Sequence, residues 1–235
     1  MKSIVFDAGT IISLTTNNLL WILEPLKTKY KGEFYIPLSV KRELIDKPFK
    51  TKRFKLEALQ VLSIINRGVL TIYDDNLLKV EKAQIANLAN NMYLTKKRPL
   101  TVVHEGEVAA VATALHLKSD ALAIDERTMR VLIEDPTLLT KLYKHKLHMN
   151  IKIDKKNLKA LVDLVHKIKV IRSTEVTMVA YELGLLDNWM KKNGQIERNL
   201  TKELLDGFLW GLKIRGCSIS KEEIAELLKF KGFKL

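Results

Sequence analysis

Four carboxylates fall where predicted strands pass into predicted helices. Asp7 and Asp125 each end an apolar strand. Glu43 lies in the helix after another strand, and Glu107 opens an Ala-rich helix. In an open parallel sheet, the carboxyl ends of the strands and the neighbouring helix starts converge on one crevice. The spacing therefore predicts that these four acids lie together.

Such a group of acids favours a metal site. Carboxylates placed side by side make each other harder to ionise, and a divalent cation removes that repulsion. Oxygen ligands without clustered His or Cys indicate Mg²⁺ or Mn²⁺ rather than zinc. The joint pattern predicts a metal site formed by Asp7, Glu43, Glu107 and Asp125.

Each acid taken alone also has a structural explanation. Asp7 and Asp125 are typical helix caps, because a side-chain oxygen there accepts a hydrogen bond from the first turn. Glu43 can pair with Lys47 one turn later in its helix. Glu107 is favourable at a helix start because of the helix dipole. Only the joint order of strand end, following helix, helix start and strand end favours a site over these separate roles.

Composition and charge narrow the class of protein. Of the 235 residues, 47% are hydrophobic and 29% are charged, as in globular proteins with a buried core. The single cysteine, Cys217, excludes an internal disulfide, and we expect it to be an ordinary small side chain. With no secretory signal and no long apolar run, we expect a cytoplasmic protein without a membrane partner.

The net charge of +13, with a pI near 9.6, favours a polyanionic partner, most simply nucleic acid. A lysine-rich surface of a heat-adapted protein is the alternative explanation. The charge alone does not distinguish a nucleic-acid partner from a lysine-rich surface, whereas a functional site would.

The chain alternates between strands and helices, which predicts an α/β fold with a central parallel sheet flanked by helices on both faces. Helices are expected at 40–46, with Ser39 as N-cap, at 51–67 and at 77–94. Ser220 and Glu223 form a capping-box pattern near the end of the chain. We expect one domain over 1–235, with an inserted basic helical hairpin at approximately 137–168.

The stretch "FDAGT" first suggests the haloacid-dehalogenase-like phosphatases. Their opening motif has a nucleophilic Asp and, two residues later, a second Asp that acts as general acid. Here that second position is Gly9, so the acid is missing. A phosphatase is therefore unsupported.

The order of motifs instead resembles that of the PIN-domain nucleases. "VFDAGTIISL" is similar to the first motif of that family and places Asp7 and Thr10. "YIPLSVKREL" is similar to the second, a strand ending in proline before the helix that carries Glu43. "EGEVAAVATAL" resembles the third and assigns its acid to Glu107.

The later part of the chain continues this resemblance. "ALAIDERTMRVL" is similar to the fourth motif, with Asp125 followed by the supporting residues Glu126 and Arg130. In "RSTEV", Ser173 and Thr174 stand where relatives have a Gly-rich turn, and we expect a supporting hydroxyl there. The closing helices resemble those of the same family.

The resemblance implies a PIN-like α/β/α sandwich and a phosphodiesterase, most simply an endoribonuclease, of the archaeal, stand-alone type similar to toxin ribonucleases. It implies that the four acids hold Mg²⁺ or Mn²⁺, that Thr10 orients a ligand or water, and that cleavage leaves a 5′-phosphate. RNA is favoured over DNA, and a homodimer or an antitoxin-like protein partner is compatible with the family. The alternative is a catalytically weak PIN-like module that binds RNA or protein.

A basic rim is expected around the acids, because the substrate backbone is anionic. Two Lys- and Arg-rich runs, at 47–55 and 96–98, are the candidates. Their predicted nucleic-acid-binding residues are Lys50, Lys52, Arg53, Lys55, Lys96, Lys97 and Arg98. Phe49 and Phe54 either stack on unpaired bases or face the core.

Overall fold

The computed structural model describes residues 2–96, 98–148, 150–192, 195–196 and 200–230. Its strands in chain order are β1 (Ser3–Phe6), β2 (Glu33–Pro37), β3 (Thr71–Tyr73), β4 (Tyr93–Thr95), β5 (Arg98–Pro99), β6 (Ala121–Ala123), β7 (Ile151–Ile153), β8 (Val170–Ile171), β9 (Lys191–Lys192) and β10 (Gln195–Ile196).

The α-helices in chain order are α1 (Ala8–Thr16), α2 (Leu23–Tyr30), α3 (Leu38–Lys41), α4 (Lys47–Phe49), α5 (Lys55–Asn66), α6 (Lys79–Asn90), α7 (Glu105–Leu117), α8 (Arg127–Glu134), α9 (Pro136–Leu147), α10 (Lys155–Val165), α11 (Ser173–Glu182), α12 (Thr201–Arg215) and α13 (Lys221–Phe230). Short 3-10 turns cover Leu20–Ile22, Asp75–Leu78 and Asp187–Met190. A π-helical turn, Arg42–Asp46, joins α3 to α4.

The main sheet has five parallel strands in the order β3-β2-β1-β6-β8. Successive residues of β1 face opposite sides of this sheet. Phe6 packs in one hydrophobic cluster with α1, α2, α5 and α11 to α13. Val5 packs in a second cluster with α6 to α10. Helices thus cover both faces, and the predicted α/β/α architecture is confirmed.

The strand order places a crevice at the carboxyl end of β1. The chain runs outward from β1 through β2 to β3, then crosses to the other side of β1 to form β6 and β8. Ligands of open α/β sheets bind where the order reverses in this way. The backbone N–H of Asp7 donates to the carbonyl of Ala123 at 2.9 Å, so the ends of β1 and β6 lie side by side there.

Three local predictions are wrong at their boundaries. The helix at 38 begins before Ser39, whose backbone N–H instead donates to Asp75 Oδ1 at 2.9 Å. Helix α5 begins at Lys55 rather than 51, since Phe54 has a left-handed backbone conformation. Helix α6 ends at Asn90, because the chain then extends into β4. The capping box of Ser220 and Glu223 is present, with both hydrogen bonds formed.

The segment at 137–168 contains the two expected helices, but it is not a simple helical hairpin. Strand β7 lies between α9 and α10 and pairs antiparallel with β4, which completes a three-stranded sheet in the order β5-β4-β7. Ile151 and Leu161 are buried in the second cluster. Apolar residues of this lysine-rich segment therefore pack into the core. Within the described ranges, no helix is long and apolar enough to cross a membrane.

Candidate active site

Asp7 and Asp125 lie next to each other at the carboxyl ends of β1 and β6. Both are buried, with 4% and 1% of their surface exposed. Asp7 caps α1, and its Oδ2 accepts the Gly9 N–H at 3.2 Å. A Cβ atom at Gly9 would lie 3.4 Å from Asp7 Oδ2 and 3.7 Å from Asp125 Cβ. Gly9 therefore lies within van der Waals distance of both acids, at the start of α1.

Asp125 is held by hydroxyl and backbone donors from two other segments. The Ser173 N–H donates to Asp125 Oδ1 at 2.7 Å, and the Ser173 hydroxyl donates to Oδ2 at 2.6 Å. The hydroxyl of Thr10, which is fully buried in α1, lies 3.4 Å from Asp125 Oδ1. These contacts orient the carboxylate. Among the described residues, no cation forms an ion pair with it.

Glu43 is positioned by the π-helical turn between α3 and α4. Proline has no N–H, and its ring clashes with the carbonyl four residues earlier in a regular helix, so Pro48 favours the wider turn before it. Within that turn, the Lys47 N–H donates to the Arg42 carbonyl, five residues back. The Glu43 carboxylate approaches α7, where a Cβ at Gly106 would lie 3.3 Å from Glu43 Oε2. Gly106 therefore lets Glu43 reach the first turn that carries Glu107.

Glu107 has a capping role at the start of α7. Its Oε2 accepts the His104 N–H at 2.9 Å, and its side chain is half-buried. The capping role expected of Glu107 is therefore present, as is that of Asp7 at the start of α1, and their role as metal ligands stays a prediction.

The acids influence one another electrostatically. Burial raises the pKa of Asp7 from 3.8 to about 7, and the charges of Glu107 and Glu43 add to the rise. Burial also raises the pKa of Glu107 to about 7, with further contributions from Glu126 and Glu43. In the part of the chain that the structure describes, no Lys or Arg forms an ion pair with these carboxylates. The cluster is an uncompensated negative site.

Comparison with known families identifies the family of the chain. Residues 3–138, more than half of the chain, match a family model described as a PIN domain. The chain belongs to the PIN-domain family. Searches of curated proteins and of solved structures gave no significant match. PIN domains are generally nucleases that use divalent metals, so membership places this protein in a nuclease family.

The donor chemistry of the PIN acids fits a divalent cation. All of the candidate ligands are carboxylate oxygens, which hard cations such as Mg²⁺ and Mn²⁺ prefer. Burial is the main cause of the raised pKa values of Asp7 and Glu107, and the neighbouring acids add a smaller contribution that a cation would neutralise. Across the described ranges, no three acidic, His or Cys side chains are already spaced as ligands of one ion. Their oxygens are instead directed to donors such as the N–H groups of Gly9 and His104.

The predicted supporting residues take different positions. Glu126 caps α8, where its Oε2 accepts the Met129 N–H at 2.7 Å, and its charge contributes to the raised pKa of Glu107. The Thr174 hydroxyl donates to Glu175 rather than to Asp125. Arg130 donates to the carbonyl of Ser218, so it ties α8 to the segment between α12 and α13. Among the four predicted supporting residues, Ser173 is the one whose hydrogen bonds in the described structure reach a candidate ligand, Asp125.

Sequence reasoning missed a brace behind Ser173. Arg172 forms ion pairs with Glu175 at 2.6 Å and with Glu223 at 2.8 Å. These contacts hold the start of α11, where Ser173 meets Asp125. The spacing of Arg172 and Glu175, one helical turn apart at a strand end, is a signal that was available. The pairing with Glu223 of α13 has no local signal.

Cys217 is buried close enough to Asp125 to feel its charge. It is 3% exposed, and its pKa is raised to about 11 by burial and by the charge of Asp125. Its neighbour Ser218 donates its N–H to the Asp125 carbonyl at 3.2 Å. The thiol is thus a buried small side chain, as expected.

The two basic runs occupy separate parts of this PIN domain. Lys50, Lys52, Arg53 and Lys55 are exposed on the segment between α4 and α5. Lys96 and Arg98 are exposed at the turn between β4 and β5, and Lys97 lies outside the described residues. Phe49 and Phe54 are 38% and 47% exposed, which contradicts the alternative in which their rings face the core.

Proposed function

We propose that this PIN domain is a Mg²⁺- or Mn²⁺-dependent endoribonuclease whose metal ligands are Asp7, Glu43, Glu107 and Asp125. One observation carries the proposal: four segments distant in sequence bring carboxylates to the reversal point of the sheet, where two of them have pKa values raised to about 7. Asp7 and Asp125 are buried and Glu107 is half-buried, while Glu43 is exposed. Burying acids without a cationic partner costs stability, so the retention of the first three beside Glu43 favours a role in binding a cation.

The residues of the chain have distinct tasks in this proposal. When bound, Mg²⁺ or Mn²⁺ supplies charge neutralisation at the phosphodiester and lowers the pKa of the attacking water. Asp7 and Glu107, whose pKa values are raised, would supply carboxylate oxygens to the cation. Thr10 and Ser173 keep Asp125 in one orientation. Glu43 would supply a further carboxylate from the π-helical turn that approaches Gly106 of α7.

RNA is the proposed substrate, and the chain charge supports it. The net charge of +13 attracts a polyanion to a site that is itself negative. The exposed cations Lys50, Lys52, Arg53 and Lys55 are proposed to bind the phosphate backbone. PIN domains often pair with antitoxins, and an antitoxin-like partner or a homodimer is proposed on the same ground.

A cleavage assay tests the proposal. Labelled single-stranded RNA is incubated with the protein in Mn²⁺, in Mg²⁺ and in EDTA, beside Asp7→Asn and Asp163→Asn. We expect cutting only with metal. Asp7→Asn should lose more than about 100-fold in rate, since even changes beyond the ligand shell cost roughly 10- to 100-fold. Asp163 is an exposed residue of α10, and its variant should cut normally.

The result that contradicts the proposal is RNA binding without cutting in either metal. That outcome would favour the alternative, a catalytically weak PIN module that binds RNA or protein. Cutting that persists in EDTA, or in Asp7→Asn, would place the activity outside these acids.

A further inference from the structure

A largely apolar cavity of about 290 Å³ lies directly beside the candidate active site. It is enclosed by α1, by the helix that carries Glu43 and by the start of α5. The lining residues that matter here are Ile12, Thr16, Glu43, Pro48, Arg53 and Phe54. Glu43 belongs both to this wall and to the acidic cluster, so a group in the cavity would lie next to whatever the acids bind.

Phe54 is an unusual residue for its position. Its backbone has φ 63° and ψ 19°, a left-handed conformation that favours glycine or asparagine. Its ring is nevertheless 47% exposed, so burial in the core does not compensate for the strain. Strained residues of this kind concentrate at binding sites, which makes an exposed aromatic ring here a candidate for ligand contact.

Arg53 adds a second flat group beside the ring. Its guanidinium carbon lies 4.6 Å from the centroid of the Phe54 ring. Both aromatic rings and guanidinium planes stack on nucleobases that are not paired. The two residues therefore present a stacking platform at the wall of the cavity.

The charge around the cavity identifies its occupant. Lys47 and Arg53 line it together with Glu43 and Glu57. Three more cations, Lys50, Lys52 and Lys55, are exposed on the same short segment, so cations outnumber acids around the opening. These cations would not be matched by an apolar peptide helix. A nucleotide matches both features, because its phosphate binds the cations and its flat base contacts the apolar interior.

We propose that this cavity, the base-binding cavity, holds one unpaired base of the RNA strand next to the phosphate that the acids engage. The inference rests on the proposed function for the nature of the polymer. Phe54 and Arg53 stack on the base, and the cations of the 47–55 segment bind the flanking phosphates. The cavity thereby selects single-stranded over paired RNA, because a paired base cannot enter it.

The test measures binding in EDTA, where no cutting is expected. A labelled single-stranded oligoribonucleotide is compared, by fluorescence anisotropy, with a set in which one abasic nucleotide is moved along the strand. The variants are Phe54→Gly and, as a matched control, Leu56→Ala, an exposed apolar residue at the start of α5 that does not line the cavity. Melting temperatures are recorded for all proteins.

We expect Phe54→Gly to weaken binding by roughly 5- to 100-fold, the effect of losing one base–aromatic stack. An abasic nucleotide at one register should weaken binding to the wild type and leave binding to Phe54→Gly unchanged. Glycine suits the backbone at position 54, so this variant should melt within a few degrees of the wild type. Leu56→Ala should bind within about twofold of the wild type, since most surface substitutions have small effects.

RNA binding that is unaffected by abasic nucleotides, or an equal loss of binding in Phe54→Gly and Leu56→Ala, would overturn the proposal. So would a change of oligomeric state in Phe54→Gly with RNA binding intact, because the cavity would then be a protein contact. Metal-dependent cutting together with binding that is unaffected by abasic nucleotides would contradict only the base-binding role of the cavity. Binding that depends on the base, without any cutting, would contradict only the proposed nuclease activity.

Discussion

Asp7 and Asp75 are two buried carboxylates that follow strands of the same parallel sheet, yet their surroundings are opposite. Asp75 lies just after β3 and is 2% exposed. It accepts hydrogen bonds from Lys82 Nζ at 2.6 Å and from the Ser39 N–H at 2.9 Å. Burial raises its pKa, but these donors and the charge of Lys82 outweigh burial, so the pKa is lowered.

Asp7 accepts backbone N–H groups, but no cation pairs with it among the described residues. Burial, with a smaller contribution from the charges of Glu107 and Glu43, raises its pKa to about 7. The difference teaches which acid belongs to the frame and which to the site. Asp75 fixes the start of α3, and through it the helix that carries Glu43. Asp7 is left uncompensated, which is expected of a group whose partner arrives from solution.

The largest expected effect on stability is the pH dependence that Asp7 produces. In EDTA, folded Asp7 keeps its proton up to about pH 7, whereas an unfolded Asp releases it near 3.8. The folded state therefore holds more protons between these values, and the free energy of unfolding falls as pH rises through them. At about 1.4 kcal/mol per pKa unit, the loss between pH 5 and 8 is on the order of 2–3 kcal/mol.

Urea unfolding at several pH values checks this. Asp7→Asn should flatten the fall, and above pH 7 it should be more stable than the wild type. Parallel pH curves for the two proteins would contradict the assignment of the uncompensated charge to Asp7. Glu107 contributes with the same sign, since its pKa is also raised.

Removal of the compensated acid should have the opposite consequence. Asp75→Ala leaves Lys82 and the Ser39 N–H without their acceptor, and we expect a loss of about 2 kcal/mol at pH 7. Because the pKa of Asp75 is lowered, its contribution is present at neutral pH and is lost as pH falls below about 4. Urea unfolding of Asp75→Ala at pH 7, beside Asp163→Ala as an exposed control, measures this loss. If both variants lost equally little, Asp75 would not be part of the frame.

The surroundings of Asp125 are intermediate between those of Asp7 and Asp75. It is buried and accepts two hydrogen bonds from Ser173, but no cation pairs with it in the part of the chain that the structure describes. Ser173→Ala removes the hydroxyl donor and keeps the backbone donor. We expect the cleavage rate to fall about tenfold and the Mn²⁺ concentration needed for half-maximal rate to rise, as happens when other residues that hydrogen-bond to metal ligands are removed. Thr174→Ala, whose hydroxyl donates to Glu175, is the matched control and should change neither quantity. Equal effects of the two would remove Ser173 from the site.

The main sheet and most helices could be predicted from the sequence because their signals are local. Strand β1 and helix α7 follow the apolar runs at 3–6 and 106–118 within one or two residues. Strand β7 could not be predicted, because a three-residue strand in a lysine-rich segment becomes a strand only by pairing with β4. The start of α5 depends on the left-handed Phe54, which no propensity favours.

The candidate site divides in the same way. Asp7, Glu107 and Asp125 stand at strand or helix ends, and that local position made them visible. The roles expected for Thr174 and Arg130 rested on motif position, yet their side chains are directed to Glu175 and Ser218. Side-chain direction depends on neighbours that motif position does not describe.

The sequence by itself determined the alternation of strands and helices and the acids at their junctions, since hydrophobic periodicity and capping act within a few residues. Only the tertiary structure decided what surrounds each acid. Ser173 meets Asp125 across 48 residues, and Arg172 meets Glu223 across 51. Gly106 leaves room for Glu43 only because α7 packs against α3. Such contacts follow from how finished elements pack, and packing depends on the whole core rather than on any local pattern.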